Sequence, residues 1–371
     1  MRIDIIGSSR ELFGSDRSAV RLAVVLEALG HEVTLVLPVG RPERGLGAYA
    51  ASRGIDVAEA GTTIVSSRGI EGLPLTGRRF QRFQQPKPDV TIYNSAAVVR
   101  CNRPSGRKIV IVREWLTRAS VSHRALVTWH ETTTNAVVGV SRGVLAQWRA
   151  MARQRVPQFL CWNWLEPEDT ASAEHFREAG PSDRSGIVCL GRFNAWKGQE
   201  LLAEAYRRAF GAAETRPRLT FVGMQSGTEF AARAERLAQQ GSVSGWTVEP
   251  FAAEPLAQLA KAALVVVPSL HPEPFGVVLL EGLACGCSVL ACDGGGPSDL
   301  EPLFPGALSL SSRTPAQLAD RMLVWWQGGG RPQSPQVFAA SEQTLADVFS
   351  VGAATERWQD ILAAEAITQP R

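Results

Sequence analysis

The stretch MRIDIIGSSRELFGSDRSAVRLAVVLEALGHEVTLVL, residues 1–37, holds three elements in an order that decides the fold. Arg2-Ile3-Asp4-Ile5-Ile6 is a short apolar run closed by Gly7 and reads as a strand. The loop SSRELFGSD then leads into a helix over residues 16–29, with Ser15 or Asp16 placed to cap its first turn and Gly30 to stop it. Residues 32–37 form the next strand at once. A strand, a crossover helix and a second strand imply a parallel pair, and a sheet grown by repeating the unit is parallel throughout. Apolar runs at 90–93, 108–112 and 136–140 extend the series. Between them GLPLTGRRFQRFQQPKP, residues 72–88, has prolines near its ends and interleaved Arg and Phe, which favours a solvated loop over an acceptor or membrane contact.

QFLCWNWLEPED, residues 158–169, interrupts the pattern and reads as a link, after which a second series begins. Strands are expected at 186–191, 219–222, 247–250, 264–267 and 288–291. Helices are expected at 198–210, 229–239, 255–261 and 277–285. The fold class is therefore α/β, with two Rossmann-like domains whose parallel sheets face a cleft. The boundaries fall at 1–164 and 165–353, and a last helix within 354–371 is expected to pack back on the first domain. A chain of 371 residues agrees, being too long for one ordinary core.

Composition narrows the class. Apolar residues make up 45% and charged residues 20%, the profile of a globular protein without a bilayer-spanning run of about 20 apolar residues. Asp4 and the early glycines break any signal-peptide core, so the first residues read as a strand and the cytoplasm as the expected compartment. The six cysteines form no CxxC pair or Cys/His cluster. Cys285, Cys287 and Cys292 lie in apolar segments and read as reduced core residues, so no metal is expected. The net charge of +3 conceals an asymmetry: residues 1–164 hold 23 Lys and Arg against 12 Asp and Glu, and residues 165–371 hold 16 against 24. A basic first half fits an anionic partner, such as a phosphate-bearing or lipid-linked acceptor or the inner face of a membrane, and fits equally an attraction between the halves. Nucleic acid is not an expected partner.

Two segments carry chemistry. In PSLHPEPFGVVLLEGLACGCSVLACDGGGPSDL, residues 268–300, a strand ends in a proline-rich loop that presents Glu273, and a helix opens at Phe275-Gly276. The unpaired amides of such a helix start form a site for a phosphate or sugar oxygen. Glu281 stands in a run otherwise apolar or glycine, and a buried carboxylate there needs donors, either a ribose diol or an arginine. In VCLGRFNAWKGQE, residues 188–200, Arg192 and Lys197 straddle a strand-to-helix loop and together can grip a diphosphate. Lys197 is one of only four lysines in the chain.

Gly191-Arg192 with Lys197-Gly198, followed by Glu273-Pro274-Phe275-Gly276 and Glu281, resembles the signature of retaining glycosyltransferase family 4, with its GT-B fold. The pairing of Arg-x4-Lys with Glu-x7-Glu is what makes the resemblance specific. It extends to the first strand-loop-helix, to VVGVSRG at 137–143 and to the linker around Asn163.

The resemblance implies transfer of a sugar from a nucleotide-diphosphate donor to an acceptor hydroxyl, with retention of configuration and without metal or other cofactor. It assigns the donor diphosphate to Arg192 and Lys197, the ribose to Glu281, and the donor sugar and phosphate to Glu273 with the backbone around Phe275, Gly276 and Val277. Gly14 and Ser15 would approach the phosphate from the first loop. Many relatives place a histidine after the strand at 108–112, where this chain has Arg113-Glu114-Trp115. Arg113 and Glu114 are thus candidate acceptor-side residues or a structural salt bridge. His123 and His130 read as surface or capping residues, and Trp162, Trp164 and Trp196 as packing residues.

Two other readings compete: a nucleotide-sugar 2-epimerase of the same fold, which needs no acceptor, and a catalytically silent nucleotide-sugar-binding protein. A nicotinamide dehydrogenase is disfavoured because IIGSSRELFG lacks the G-x-G-x-x-G spacing.

Overall fold

The computed structural model describes residues 1–12, 14–39, 45–66, 69–72, 86–103, 105–153, 156–179, 184–224, 231–250 and 254–364. The chain divides into two units, one of Met1–Asn163 together with the C-terminal segment from Val351, the other of Trp164–Ser350.

Among the described residues, ten strands lie in the first unit: β1 (Arg2–Ile6), β2 (Glu32–Pro38), β3 (Asp56–Ala60), β4 (Thr62–Ser66), β5 (Gly69–Gly72), β6 (Val90–Tyr93), β7 (Val98–Cys101), β8 (Arg107–Val112), β9 (Ala136–Gly139) and β10 (Gln158–Leu160). Seven of them form one sheet in the order β10-β9-β8-β6-β1-β2-β3, and each neighbouring pair is parallel. The strands at its centre are apolar on both faces, as β6 and β9 show by being buried at every residue. Helices cover both sides of such a sheet, so no alternation survives in the sequence. Helix Gly14–Ala28 joins β1 to β2, and helix Val351–Ala363 packs against it within the same unit. The chain runs from β1 through β2 to β3 on one side, then resumes at β6 on the other. The order therefore reverses between β1 and β6.

The second unit repeats the plan with β11 (Gly186–Leu190), β12 (Leu219–Met224), β13 (Trp246–Pro250), β14 (Ala262–Val267), β15 (Ser288–Cys292) and β16 (Leu308–Ser311). Their order is β13-β12-β11-β14-β15-β16, again with parallel neighbours, and the reversal lies between β11 and β14. Its core gathers Phe193, Leu202, Tyr206, Phe221, Trp246 and Leu264 beneath helices Gln199–Phe210 and Pro315–Gln327. Cys285, Cys287 and Cys292 are free and buried, and burial holds the Cys287 and Cys292 thiols up at about 11. No helix among the described residues is long and apolar enough to cross a membrane.

Several expectations need correction. Gly14 and Ser15 open helix Gly14–Ala28 rather than lying in the preceding loop. Residues 158–160 are not linker but the edge strand β10, and the 3-stranded antiparallel sheet β5-β4-β7 was not anticipated. A buried ion pair ties the turn after β7 to the main sheet, with Arg103 Nε 2.9 Å from the Asp4 carboxylate on β1. Of the loop at 72–88, residues 73–85 lie outside the described residues. His123 stays half-buried, its Nδ1 accepting from the Thr117 amide.

His130 is not a surface residue: it is 1% exposed, with Nε2 2.8 Å from the Ala96 carbonyl and its ring between Tyr93 and Trp148. Burial, against the Ala96 bond and with help from the Lys108 charge, lowers its pKa to about 4. An unfolded histidine titrates near 6.5, so between the two values only the unfolded chain takes up this proton. Stability should therefore fall as pH drops from about 6.5 to about 4. Thermal melts across this window should show the decline in the native chain and a flatter profile in His130→Phe.

Candidate functional site

In open parallel sheets, ligands gather at the carboxyl ends of the strands where the order reverses. In the second unit this place lies between the loop after β11 and the loop after β14, the segments that hold Arg192 and Lys197 and that hold Glu273. The first loop is built by local bonds. Asn194 Oδ1 accepts from the Lys197 amide at 3.1 Å and so caps the 3-10 turn Ala195–Lys197, while Gln199 Nε2 donates to the Arg192 carbonyl at 2.9 Å. Gly198 then takes φ of +74°, and a Cβ there would overlap the Pro268 carbonyl, so only glycine lets the two loops close. The Leu270 amide donates to the Trp196 carbonyl at 2.7 Å and joins them further.

Lys197 and Glu273 meet across this joint. The ammonium lies 3.0 and 2.9 Å from the two carboxylate oxygens and 4.2 Å above the Trp196 ring centroid. Ser269 Oγ donates to Glu273 Oε2 at 2.7 Å. Glu273 is buried and Lys197 half-buried, so the pair is partly shielded from water. The main chain of Glu273 is fixed from the far side, where its carbonyl accepts from the Gly296 amide at 2.9 Å. A Cβ on Gly295 would strike that same carbonyl, and its φ is +69°.

Helix Val277–Ala284 starts directly after this loop, and its N-cap residue, Gly276, offers no capping side chain. A helix start of this kind can offer an anion its leading amides, though the Leu279 amide already donates to the Gly276 carbonyl at 2.9 Å. Phe275 is buried against Phe349, 6.3 Å between ring centroids, so it anchors the turn and leaves the backbone of Phe275, Gly276 and Val277 to do any binding. Glu281 sits one turn beyond Val277, half-buried on a helix whose neighbours Leu279, Leu280, Gly282 and Leu283 are buried. Arg192 is half-buried on the Lys197 loop. The structure thus gathers Lys197, Glu273 and the helix start at one reversal point, with Arg192 and Glu281 on the same two segments.

The candidates of the first unit lie at the carboxyl edge of their own sheet. Gly14 is exposed at the head of its helix. Arg113 donates through Nε to Asn94 Oδ1 at 3.0 Å and through Nη1 to Asn163 Oδ1 at 2.6 Å. Burial lowers its pKa to about 10, opposed by Cys161, Glu114 and Asp16. Glu114 accepts from Ser95 Oγ and from the amides of Ala96 and Arg113 at 3.2 and 3.1 Å, so both its oxygens are engaged in the turn. Ser269, Asn194, Gly295 and Gly296 were missed. The run Gly294-Gly295-Gly296 and the Ser between Pro268 and Leu270 were in plain view, yet nothing local says which loop they face.

Residues 184–327 match the model of the family described as glycosyl transferases group 1. Among curated proteins, the D-inositol 3-phosphate glycosyltransferase of Segniliparus rotundus is 36% identical over 169 residues, covering 42% of this chain and 36% of that protein. The enzyme of that name from Acidothermus cellulolyticus is 30% identical over 165 residues, with the same coverage of 42% and 36%. The chain thus matches little more than a third of the length of these relatives. Among solved structures, Anabaena HepE in complex with UDP and glucose superposes with a TM-score of 0.75 at 14% identity, over 98% of this chain and 99% of that one. The sucrose-phosphate synthase of Thermosynechococcus elongatus gives 0.70 at 17% identity, over 97% and 98%. The fold is GT-B. Both motifs lie inside residues 184–327, the segment that is similar to the glycosyl transferases group 1 family.

The close approach at Gly295 gives a test of the loop's construction. Gly295→Ala should lower stability by about 2 kcal/mol or more, through the strained φ and the clash with Glu273. Gly14→Ala, whose Cβ meets nothing within 4 Å, should leave stability unchanged or raise it slightly, as chemical denaturation would show.

Proposed function

We propose that the chain transfers a sugar from a nucleotide-diphosphate donor to an acceptor hydroxyl, with retention of configuration and without metal. The observation that carries this reading is the placement of Lys197, Glu273 and an uncapped helix start together at the reversal point of the second sheet, inside the family segment. The UDP and UDP-glucose carried by the neighbouring HepE structures support a nucleotide sugar as donor. In this reading Lys197, Arg192 and the amides of Val277 and its neighbours meet the diphosphate, Glu281 accepts from the ribose hydroxyls, and Glu273 faces the donor sugar.

The bond from the sugar's anomeric carbon to the diphosphate oxygen breaks, and its electron pair leaves with the phosphate. Lys197 and Arg192 stabilise that growing negative charge, a preorganised electrostatic effect. The acceptor oxygen bonds to the anomeric carbon from the leaving-group face, and its proton passes to the departing phosphate oxygen. Charge neutralisation thus falls to two side-chain cations and main-chain amides, and a second flanking carboxylate of the glycosidase kind is not required. The relatives' name, D-inositol 3-phosphate glycosyltransferase, and the basic excess of residues 1–164 support a phosphate-bearing acceptor, with Arg113 as the candidate cation.

Lys197→Ala and Glu281→Ala should each reduce transfer by about 10²-fold or more while the circular dichroism spectrum stays native. Full activity in both variants, measured as nucleoside diphosphate release, would overturn the assignment. The ion pair adds a second expectation. Glu273→Gln frees Lys197 from its carboxylate, so nucleoside diphosphate should bind more tightly by calorimetry even as transfer falls.

A further inference from the structure

Ser269 has no part in the reading given above, yet it is only 2% exposed and touches the central carboxylate. Glu273 is held in two ways. Ser269, two residues past the end of β14, donates its hydroxyl to Oε2 at 2.7 Å, and Lys197 donates to Oε1 and Oε2 at 3.0 and 2.9 Å. The two holds respond differently to an incoming diphosphate. The ammonium is a point charge on a flexible stem and is drawn toward the phosphate oxygens. The serine hydroxyl is neutral, short and fixed to a strand end whose next residue, Leu270, is bonded to Trp196. It has no reason to follow.

We infer that Ser269 is a positioning residue: it keeps Glu273 in place while Lys197 changes partner from carboxylate to phosphate. The inference rests on the reading of this site as a nucleotide-sugar donor site. Oε2 stays on Ser269, and Oε1, which among the described residues the lysine alone holds, becomes the oxygen free to accept from a sugar hydroxyl. Without the hydroxyl, a carboxylate that is only 7% exposed keeps Lys197 as its one side-chain donor among the described residues and moves with it. The sugar then loses its acceptor, whereas the nucleotide keeps its cations, the helix start and Glu281.

The test is calorimetric titration of the full chain and its Ser269→Ala and Ser269→Thr variants. The titrants are UDP, GDP, ADP and dTDP and the corresponding glucose and mannose nucleotide sugars, paired with donor-turnover kinetics. The nucleoside diphosphate that binds the native chain should bind all three proteins within twofold. Its sugar-bearing form should bind Ser269→Ala about tenfold more weakly, with kcat reduced 10-fold to 100-fold, and Ser269→Thr should recover most of both. Should Ser269→Ala fail to fold, Ser269→Cys, whose thiol is a weak donor, is judged by the same criteria. Native affinity for the nucleotide sugar in the variant, or an equal loss for nucleotide and nucleotide sugar, overturns the role of Ser269. A native chain that binds none of these nucleotides overturns the donor-site reading itself, and the inference with it.

Discussion

The contact between Lys197 and Glu273 is the constraint on which the second unit's functional end depends. It joins two loops that leave adjacent strands, β11 and β14, at the one place in that sheet where neighbouring strands send the chain in opposite directions. A partly buried ion pair is a poor source of net stability, since desolvation offsets much of its attraction. Apolar side chains would join the loops at least as well. What an apolar pair lacks is a charge that can be handed over. Here the ammonium rests on a carboxylate and an indole face, and in the proposed donor site it would leave both for a doubly charged diphosphate.

The rest of the site exists to make that contact reproducible. Asn194 caps the turn that ends in Lys197, Gly198 admits the Pro268 carbonyl, and Leu270 bonds back to Trp196. On the opposite flank Gly295 and Gly296 allow the chain after β15 to press against the backbone of Glu273 and Phe275. These are largely main-chain devices, and glycine stands wherever two backbones approach most closely. Glycine also stands at the N-cap of helix Val277–Ala284, where Gly276 offers no capping side chain.

How much of this is legible in the sequence depends on range. Strands β1, β6 and β14 read correctly because a strand buried on both faces is a short apolar run bounded by loop residues. Arg192, Lys197, Glu273 and Glu281 stand out because charge in an apolar or strand-to-helix setting is costly without a purpose. The small antiparallel sheet does not read, since β4 and β5 are brief, rich in Thr and Gly, and paired partly with a strand about 35 positions on. His130 was misplaced because one turn of helix carries both exposed Trp129 and buried His130 and Glu131, and period alone does not rank polar residues. Glu114 reads as a candidate acceptor of ligand hydrogen bonds, yet its donors Ser95 and Ala96 lie across the sheet on the turn after β6. Ser269 is the sharpest case: its neighbour in space, Glu273, is four residues away, but nothing in the sequence tells a proline-rich loop to fold back on itself.

Under the proposed function, the charge balance at this end of the sheet also bears on how the site would accelerate transfer rather than merely bind. Lys197 is paired with Glu273, and Glu281 adds a further carboxylate one turn into the helix, so the side-chain cations do not stand in large excess. A site of that kind holds a neutral or weakly charged group without strong attraction. Once a bond from sugar to phosphate begins to break, negative charge grows on the phosphate and positive charge on the sugar ring. In the proposed reaction Lys197 would then interact more strongly with the first, and the released Glu273 carboxylate would lie beside the second. Each change favours the separated charges over the intact donor. Interactions that strengthen only as charge separates lower the barrier, whereas uniform attraction would lower only the concentration needed to fill the site.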